Sequence, residues 1–276
     1  MNKPTIMRRI TAVLFFSLAI FSCNEEKSDS ESSGVTPKNE RPLAYKNNKF
    51  FEKEGRKYMY GGKDSSEHFD ISNTILKDEQ YHYGIGREGF MALTAPEFIT
   101  IGEADQVYPD SARFLLLQIN NDVRAYGIDL LTKHEVVNDV VDGKPVMAAY
   151  CILADLGAIY NRIIDGREYT FALSGYTYFD PEVWDGMDGF VFWDRETEST
   201  WWPLIGKAVS GPLLETELNV YDDQNWSQTT WGEIKGQHKE IKVLKPGQTM
   251  EPPKSWPKYT DIIESAGFEI EPFELK

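Results

Sequence analysis

Short apolar runs separated by two-residue turn pairs dominate the chain from residue 113 onward. Asn120-Asn121 splits the run 114–119 from 122–126, Asp142-Gly143 splits 136–137 from 146–150, and Asp165-Gly166 splits 159–160 from 169–171. Such pairs tolerate the positive φ of tight hairpin loops and are the strongest short-range hairpin signal a sequence carries. A fourth hairpin is predicted to join 190–193 to 200–202 through Asp194-Arg195-Glu196-Thr197. These connections are too short for crossover helices. The predicted fold is therefore mostly β, a β-rich α+β chain in which an antiparallel hairpin meander forms a sandwich or a partly closed barrel.

Helical periodicity is confined to short pieces over 230–238 and 259–266, the second following Pro252, Pro253 and Pro257. Residues 42–112 form an irregular lead-in, with short strands expected near 57–60 and 69–71. No internal repeat is visible. The pattern predicts a single β-rich domain over 42–276.

The first residues follow a different pattern. Lys3, Arg8 and Arg9 precede an apolar run over 10–21, which ends in Ile-Phe-Ser-Cys at 20–23. At 1.5 Å per residue those twelve positions reach about 18 Å as a helix, short of the roughly 30 Å hydrocarbon core of a bilayer. This is signal-peptide grammar. The terminal tetrapeptide resembles the lipobox, so 1–22 are expected to be a lipoprotein signal peptide and Cys23 the lipidated residue. An ordinary cleaved secretory signal is the alternative. Residues 24–34 contain no apolar side chain, and 23–41 read as a disordered tether. The expected address is the cell envelope, anchored by lipid to the outer membrane and facing the periplasm or the surface.

Charge sharpens that picture. The 276 residues carry 44 acidic and 29 basic side chains, a formal charge of -15. Loss of the three basic residues of the signal leaves 44 against 26, or -18 for the mature chain, of which the tether holds only -2. Nucleic acid is excluded as a partner, because phosphate backbones need a positive footprint. An acidic surface keeps an anchored domain soluble beside a membrane.

There are two cysteines. With Cys23 acylated, Cys151 has no partner in the chain and is a lone thiol in an oxidising compartment. If Asp142-Gly143 is a two-residue loop, opposing positions sum to 285, so Val136 faces Ala149, Asn138 faces Met147 and His134 faces Cys151. Opposed Cβ atoms lie about 4.5–5.5 Å apart, which would put an imidazole beside the thiol. Two chemistries are open. His134 and Cys151 would ligate zinc or copper with further ligands, or Cys151 would act as a nucleophile with His134 as base, oriented by Asn138. A buried thiol packed as a small hydrophobe is the bland alternative. Gly84-Ile85-Gly86-Arg87-Glu88-Gly89 has neither the preceding strand nor the following helix of a phosphate loop.

Six ordered segments resemble the bacterial family catalogued as domain of unknown function 3179. They are Leu-Thr-Lys-His-Glu-Val-Val-Asn-Asp at 131–139, Tyr-Cys-Ile-Leu at 150–153, Phe-Ala-Leu-Ser-Gly at 171–175, Trp-Asp-Arg-Glu-Thr-Glu-Ser-Thr-Trp at 193–201, Gly-Pro-Leu at 211–213 and Thr-Thr-Trp-Gly-Glu at 229–233. The resemblance spans 98–245. It implies a His-Glu-Ile-Val-Asn-Asp motif, matched by His134, Glu135, Asn138 and Asp139, followed by Tyr-Cys-Pro-Leu-Cys. Cys151 matches the first cysteine of the latter, while its proline and second cysteine fall on Ile152 and Ala154. Dithiol chemistry within this domain is thereby ruled out, and the family implies no particular activity.

Two further features have bland and sharp readings. Trp201 and Trp202 are expected on opposite strand faces, which would expose at least one for stacking on a sugar as a surface glycan-binding module; core packing is the plainer reading. Asp180, Glu182, Asp185 and Asp188 form an acidic stretch whose spacing does not match a calcium loop, so it is read as solvated. The leading expectation is an anchored envelope lipoprotein of uncharacterised function that binds a metal or small molecule near His134 and Cys151.

Overall fold

The Asp142-Gly143 hairpin sits at the centre of the molecule. In the computed structural model, which describes residues 50–62 and 65–250, both turn residues have positive φ, 47° and 70°. That is the type I′ geometry whose twist matches the strands it joins. The register is the expected one, with Val136 opposite Ala149 and Asn138 opposite Met147. All described residues lie in one compact unit, 37–276. The expected signal, Cys23, the whole tether and the helix over 259–266 lie outside the described residues.

The strands in chain order are β1 (Phe50–Lys53), β2 (Arg56–Met59), β3 (Phe69–Asp70), β4 (Tyr81–Tyr83), β5 (Phe98–Ile99), β6 (Arg113–Ile119), β7 (Asp122–Gly127), β8 (Val136–Val141) and β9 (Lys144–Cys151). They continue with β10 (Leu156–Asn161), β11 (Ile163–Ile164), β12 (Arg167–Glu168), β13 (Phe171–Tyr178), β14 (Gly189–Asp194), β15 (Thr200–Trp202), β16 (Lys207–Ser210), β17 (Trp226–Thr230) and β18 (Lys242–Leu244). Three short helices accompany them: α1 (Ile101–Ala104), α2 (Ile128–His134) and α3 (Trp231–Gln237).

The principal strands make three layers. A middle sheet, β10-β9-β8, separates the five-stranded sheet β16-β15-β14-β13-β4 from a second five-stranded sheet, β17-β6-β7-β18-β5. Alternation along β9 feeds both interfaces. Met147, Ala149 and Cys151 pack toward the first sheet, and Val146, Ala148 and Tyr150 toward the second. A third apolar cluster joins Phe114, Ala125 and Val243 of the second sheet to Trp231 and Ile234 of α3. Among the described residues no barrel closes, so the sandwich is the form taken, with one more β layer than a simple sandwich has. Pairing between the named strands is antiparallel except between β18 and β7, and an isolated parallel bridge joins Leu93 to Val137.

Three expectations need correction. The Asp165-Gly166 turn exists, but it closes the two-residue strands β11 and β12; Ile159 and Tyr160 pair instead with Ala148 and Met147 of β9. The lead-in carries the short strands expected near 57–60 and 69–71, as β2 and β3, but is more ordered than its periodicity implies, since β1-β2-β3 form a sheet of their own and β4 joins β13. Helix α2 was absent from the pattern reading. Its apolar positions Ile128 and Leu131 are spaced by three, with Asp129 in its first turn and Lys133 and His134 in its last.

Candidate small-molecule site

Two backbone irregularities open a cavity against the end of β9. Strand β13 changes register against β14 between Leu173 and Thr177, around Gly175 at φ 80°. A Cβ there would lie 1.9 Å from the carbonyl oxygen of Gly86, so only glycine allows the Gly84–Gly89 loop to lie on the bulge. The loop is held by hydrogen bonds from the Gly84 and Ile85 amides to the Gly175 carbonyl. Within it, Arg87 and Glu88 are buried and paired with Glu198 and Arg195. The glycine-rich stretch is a wall of the cavity and not a phosphate cradle.

The second irregularity is the end of α2. Glu135 adopts the left-handed conformation, φ 56°, and its amide donates to the Leu131 carbonyl, which terminates the helix. The Tyr150 amide then donates to the Glu135 carbonyl and brings the turn against the end of β9. Glu135 and Cys151 therefore line the same cavity, of about 310 Å³, with Phe90, Leu153, Tyr176 and Phe190 among the apolar walls.

Glu135 is 7% exposed and its carboxyl has no side-chain or backbone partner among the described residues. Burial alone pushes its pKa up to about 8, so the group is mostly neutral at pH 7. Cys151 is buried too, and its Sγ donates weakly to the Asp188 carbonyl at 3.7 Å. Burial, reinforced by the nearby Glu135 charge, pushes the thiol up to about 12. Such surroundings favour the protonated thiol, although the nearby Ala154, Phe190 and Leu153 amides act in the other direction. The threonine hydroxyls in the wall are committed: Thr132 donates to the Asp129 carbonyl and Thr177 to Asp188 Oδ2. Asp188 is in turn 3.0 Å from His82 Nδ1. That leaves the Glu135 carboxyl as the polar group the cavity has to offer.

Residues 87–262 match the model of a family described as a protein of unknown function (DUF3179). The chain belongs to that family. The match includes the whole of the 98–245 stretch that carries the resemblance and extends beyond it on both sides. Comparison with curated proteins and with solved structures gave no match. In this DUF3179 chain the segments that carry the resemblance supply Thr132, Glu135, Cys151, Leu153, Leu173 and Gly175 to the cavity wall.

His134 is not laddered opposite Cys151 as the sequence led us to expect, and its ring nitrogens bond to other groups. The ladder with β9 begins at Val136, because the chain is still helical at His134 and the extended register does not reach it. The imidazole turns elsewhere, with Nδ1 2.6 Å from the Met91 carbonyl oxygen and Nε2 3.2 Å from that of Gln248. Among the described residues no three His, Cys, Asp or Glu side chains converge as metal ligands. Asn138 is buried, and its amide clamps the first residue of β13, accepting from Phe171 N at 2.9 Å and donating to Phe171 O at 2.8 Å.

The remaining candidates are built into the core. Trp201 and Trp202 are both fully buried, because the sheet they stand on is covered on both faces: Trp201 packs edge-on to Phe171 and Trp202 edge-on to Tyr178. The stretch 180–188 is not simply solvated either, since Asp180 and Asp188 are buried. Asp194 and Arg195 do not pair with each other across their turn. Arg195 reaches Glu88, and Asp194 accepts from Trp201 Nε1 and from the Thr197 amide and hydroxyl.

Sequence reasoning passed over Glu135, the residue on which the site turns. A signal was present: an acid wedged between His134 and the apolar pair Val136-Val137, directly after a helical spacing. Its position beside Cys151 depends on the helix end and was not readable without recognising α2.

Proposed function

We propose that this chain is an envelope lipoprotein, anchored through Cys23, whose β domain binds a small neutral molecule in the cavity beside Glu135 and Cys151. The observation that carries the binding reading is the Glu135 carboxyl, buried in an apolar wall without a partner among the described residues. Most polar groups inside folded proteins are paired, and the Glu135 carboxyl has no protein partner among the described residues where it faces the cavity. A ligand that completes this group accounts for its position. With its pKa near 8, the carboxyl offers an O–H donor and a carbonyl acceptor at neutral pH. A hydroxyl, amide or carbonyl group on the ligand suits both.

The raised pKa of Cys151 favours binding over thiol catalysis. The anchor rests on the basic start, the twelve-residue apolar run, the cysteine that ends it and the polar leash that follows.

Calorimetric titration of the mature protein with short alcohols and phenols tests the binding reading. Glu135→Ala is expected to weaken binding about tenfold, the worth of one buried hydrogen bond of about 1.4 kcal/mol. Equal affinity in the variant overturns it. The anchor is tested by metabolic labelling with an alkyne fatty acid, expected to mark the wild type and not Cys23→Ala.

A further inference from the structure

A second cavity, of about 210 Å³, adjoins the first, and Cys151 and Phe190 line both. It exists because small side chains meet there. Ala149 of β9 lies opposite Ala158 of β10, with Ala154 in the connection between the two strands. Leu204 and Pro203 form part of the wall, and Leu156, which also lines it, is 41% exposed to solvent. No charged side chain faces this second space.

The two chambers are chemically unlike. The first has a polar end at Glu135; the second is apolar throughout apart from the thiol and the Tyr160 ring. Folded interiors rarely leave voids larger than a water molecule, because unfilled space forfeits dispersion contacts. Apolar space of this kind takes apolar guests. The two side chains that line both chambers are an uncharged thiol, whose single hydrogen bond to the Asp188 carbonyl is weak, and a phenyl ring.

We propose that the two chambers form one site for a linear amphiphile, with a neutral head group at Glu135 and an unbranched hydrocarbon tail that runs past Cys151 and Phe190 into the second chamber. The inference rests on the ligand reading of Glu135 and adds the class of molecule.

The experiment titrates the mature protein with n-alkan-1-ols from butanol to dodecanol, in the wild type, Ala158→Leu, Ala154→Leu and Glu135→Ala. In the wild type, affinity is expected to rise about fourfold per added methylene, corresponding to about 0.8 kcal/mol per buried CH₂, and to stop rising once the tail fills the second chamber. The two leucine variants fill that chamber from different sides. Each is expected to move the plateau to a shorter chain while leaving the shortest binding alcohol unaffected. Glu135→Ala is expected to weaken every member by a similar factor. Short alcohols that bind with an unchanged plateau in both leucine variants would overturn the amphiphile inference and leave the Glu135 reading intact. If no alcohol of any length binds the wild type, both fall.

Discussion

Two regions of this molecule bury acids, and they do so in opposite ways. In the hairpin between β14 and β15, Asp194 is fully buried but accepts from Trp201 Nε1 at 2.9 Å and from the Thr197 amide at 2.7 Å. Close by, Glu88 takes a two-pronged contact from Arg195, at 2.8 and 2.5 Å. Burial raises the pKa of both acids and their donors oppose that shift. At the end of β9, Glu135 is pushed up by burial with nothing opposing it. The paired acids fasten one element to another. Glu135 fastens nothing, and it faces a cavity.

The comparison can be broken most sharply at the thiol beside Glu135. At pH 7.5 a pKa near 12 leaves about three-thousandfold less thiolate than a free cysteine of pKa about 8.5. Iodoacetamide should therefore alkylate native Cys151 orders of magnitude more slowly than the denatured chain. Comparable rates would show that the cavity does not shield its thiol.

On the structural side, Arg195→Ala leaves the Glu88 carboxylate buried without its forked partner. Removing one member of a buried pair costs about 3–5 kcal/mol, so urea unfolding should show a loss of that order. A loss below 1 kcal/mol would mean that Glu88 is no better held than Glu135.

For Glu135 the expected signature is a pH dependence. Its folded pKa lies above the ordinary carboxyl value, so the folded state binds the proton more tightly than the unfolded chain does. The associated stability is complete below about pH 4.5 and is lost as the pH rises through 8. At about 1.36 kcal/mol per pKa unit the loss amounts to a few kcal/mol. Glu135→Gln, which cannot ionise, should remove this dependence and be the more stable form at pH 9. Parallel stability curves for the two proteins between pH 5 and 9 would place Glu135 in solvent.

The smallest effect concerns Asn138. Alanine there strips both hydrogen bonds from the Phe171 backbone and should cost about 1–3 kcal/mol, read by thermal unfolding, without altering alcohol affinity. Lost affinity in a protein of unchanged stability would instead make Asn138 a ligand contact.

Much of the fold was legible because hairpins are local. Asp142-Gly143 fixes the pairing of β8 with β9 through the handedness of two residues, and the fourth hairpin joins the expected segments, with Phe192 opposite Trp201. The site was less legible, and the error has a definite origin. Extending the register of β8 backward to His134 assumed that the chain stays extended, whereas Ile128–His134 is helical and ends in a left-handed residue. A change of backbone period from two to 3.6 over seven residues exchanged His134 for Glu135 beside the thiol. The tryptophans show the same limit. Alternation correctly separates the faces of Trp201 and Trp202, but it does not say that both faces are covered.

By itself, then, the sequence determined what neighbours along the chain can decide: turn chemistry, antiparallel pairing, the predominance of β structure and membership of the DUF3179 family through short ordered motifs. Tertiary structure alone decided burial and company. Glu135 shares a cavity with Phe190 and Tyr176, and Arg195 with Glu88, across long stretches of chain. Desolvation and pairing depend on which distant segments arrive there, and these two terms make one buried acid a fastener and the other a candidate binding group.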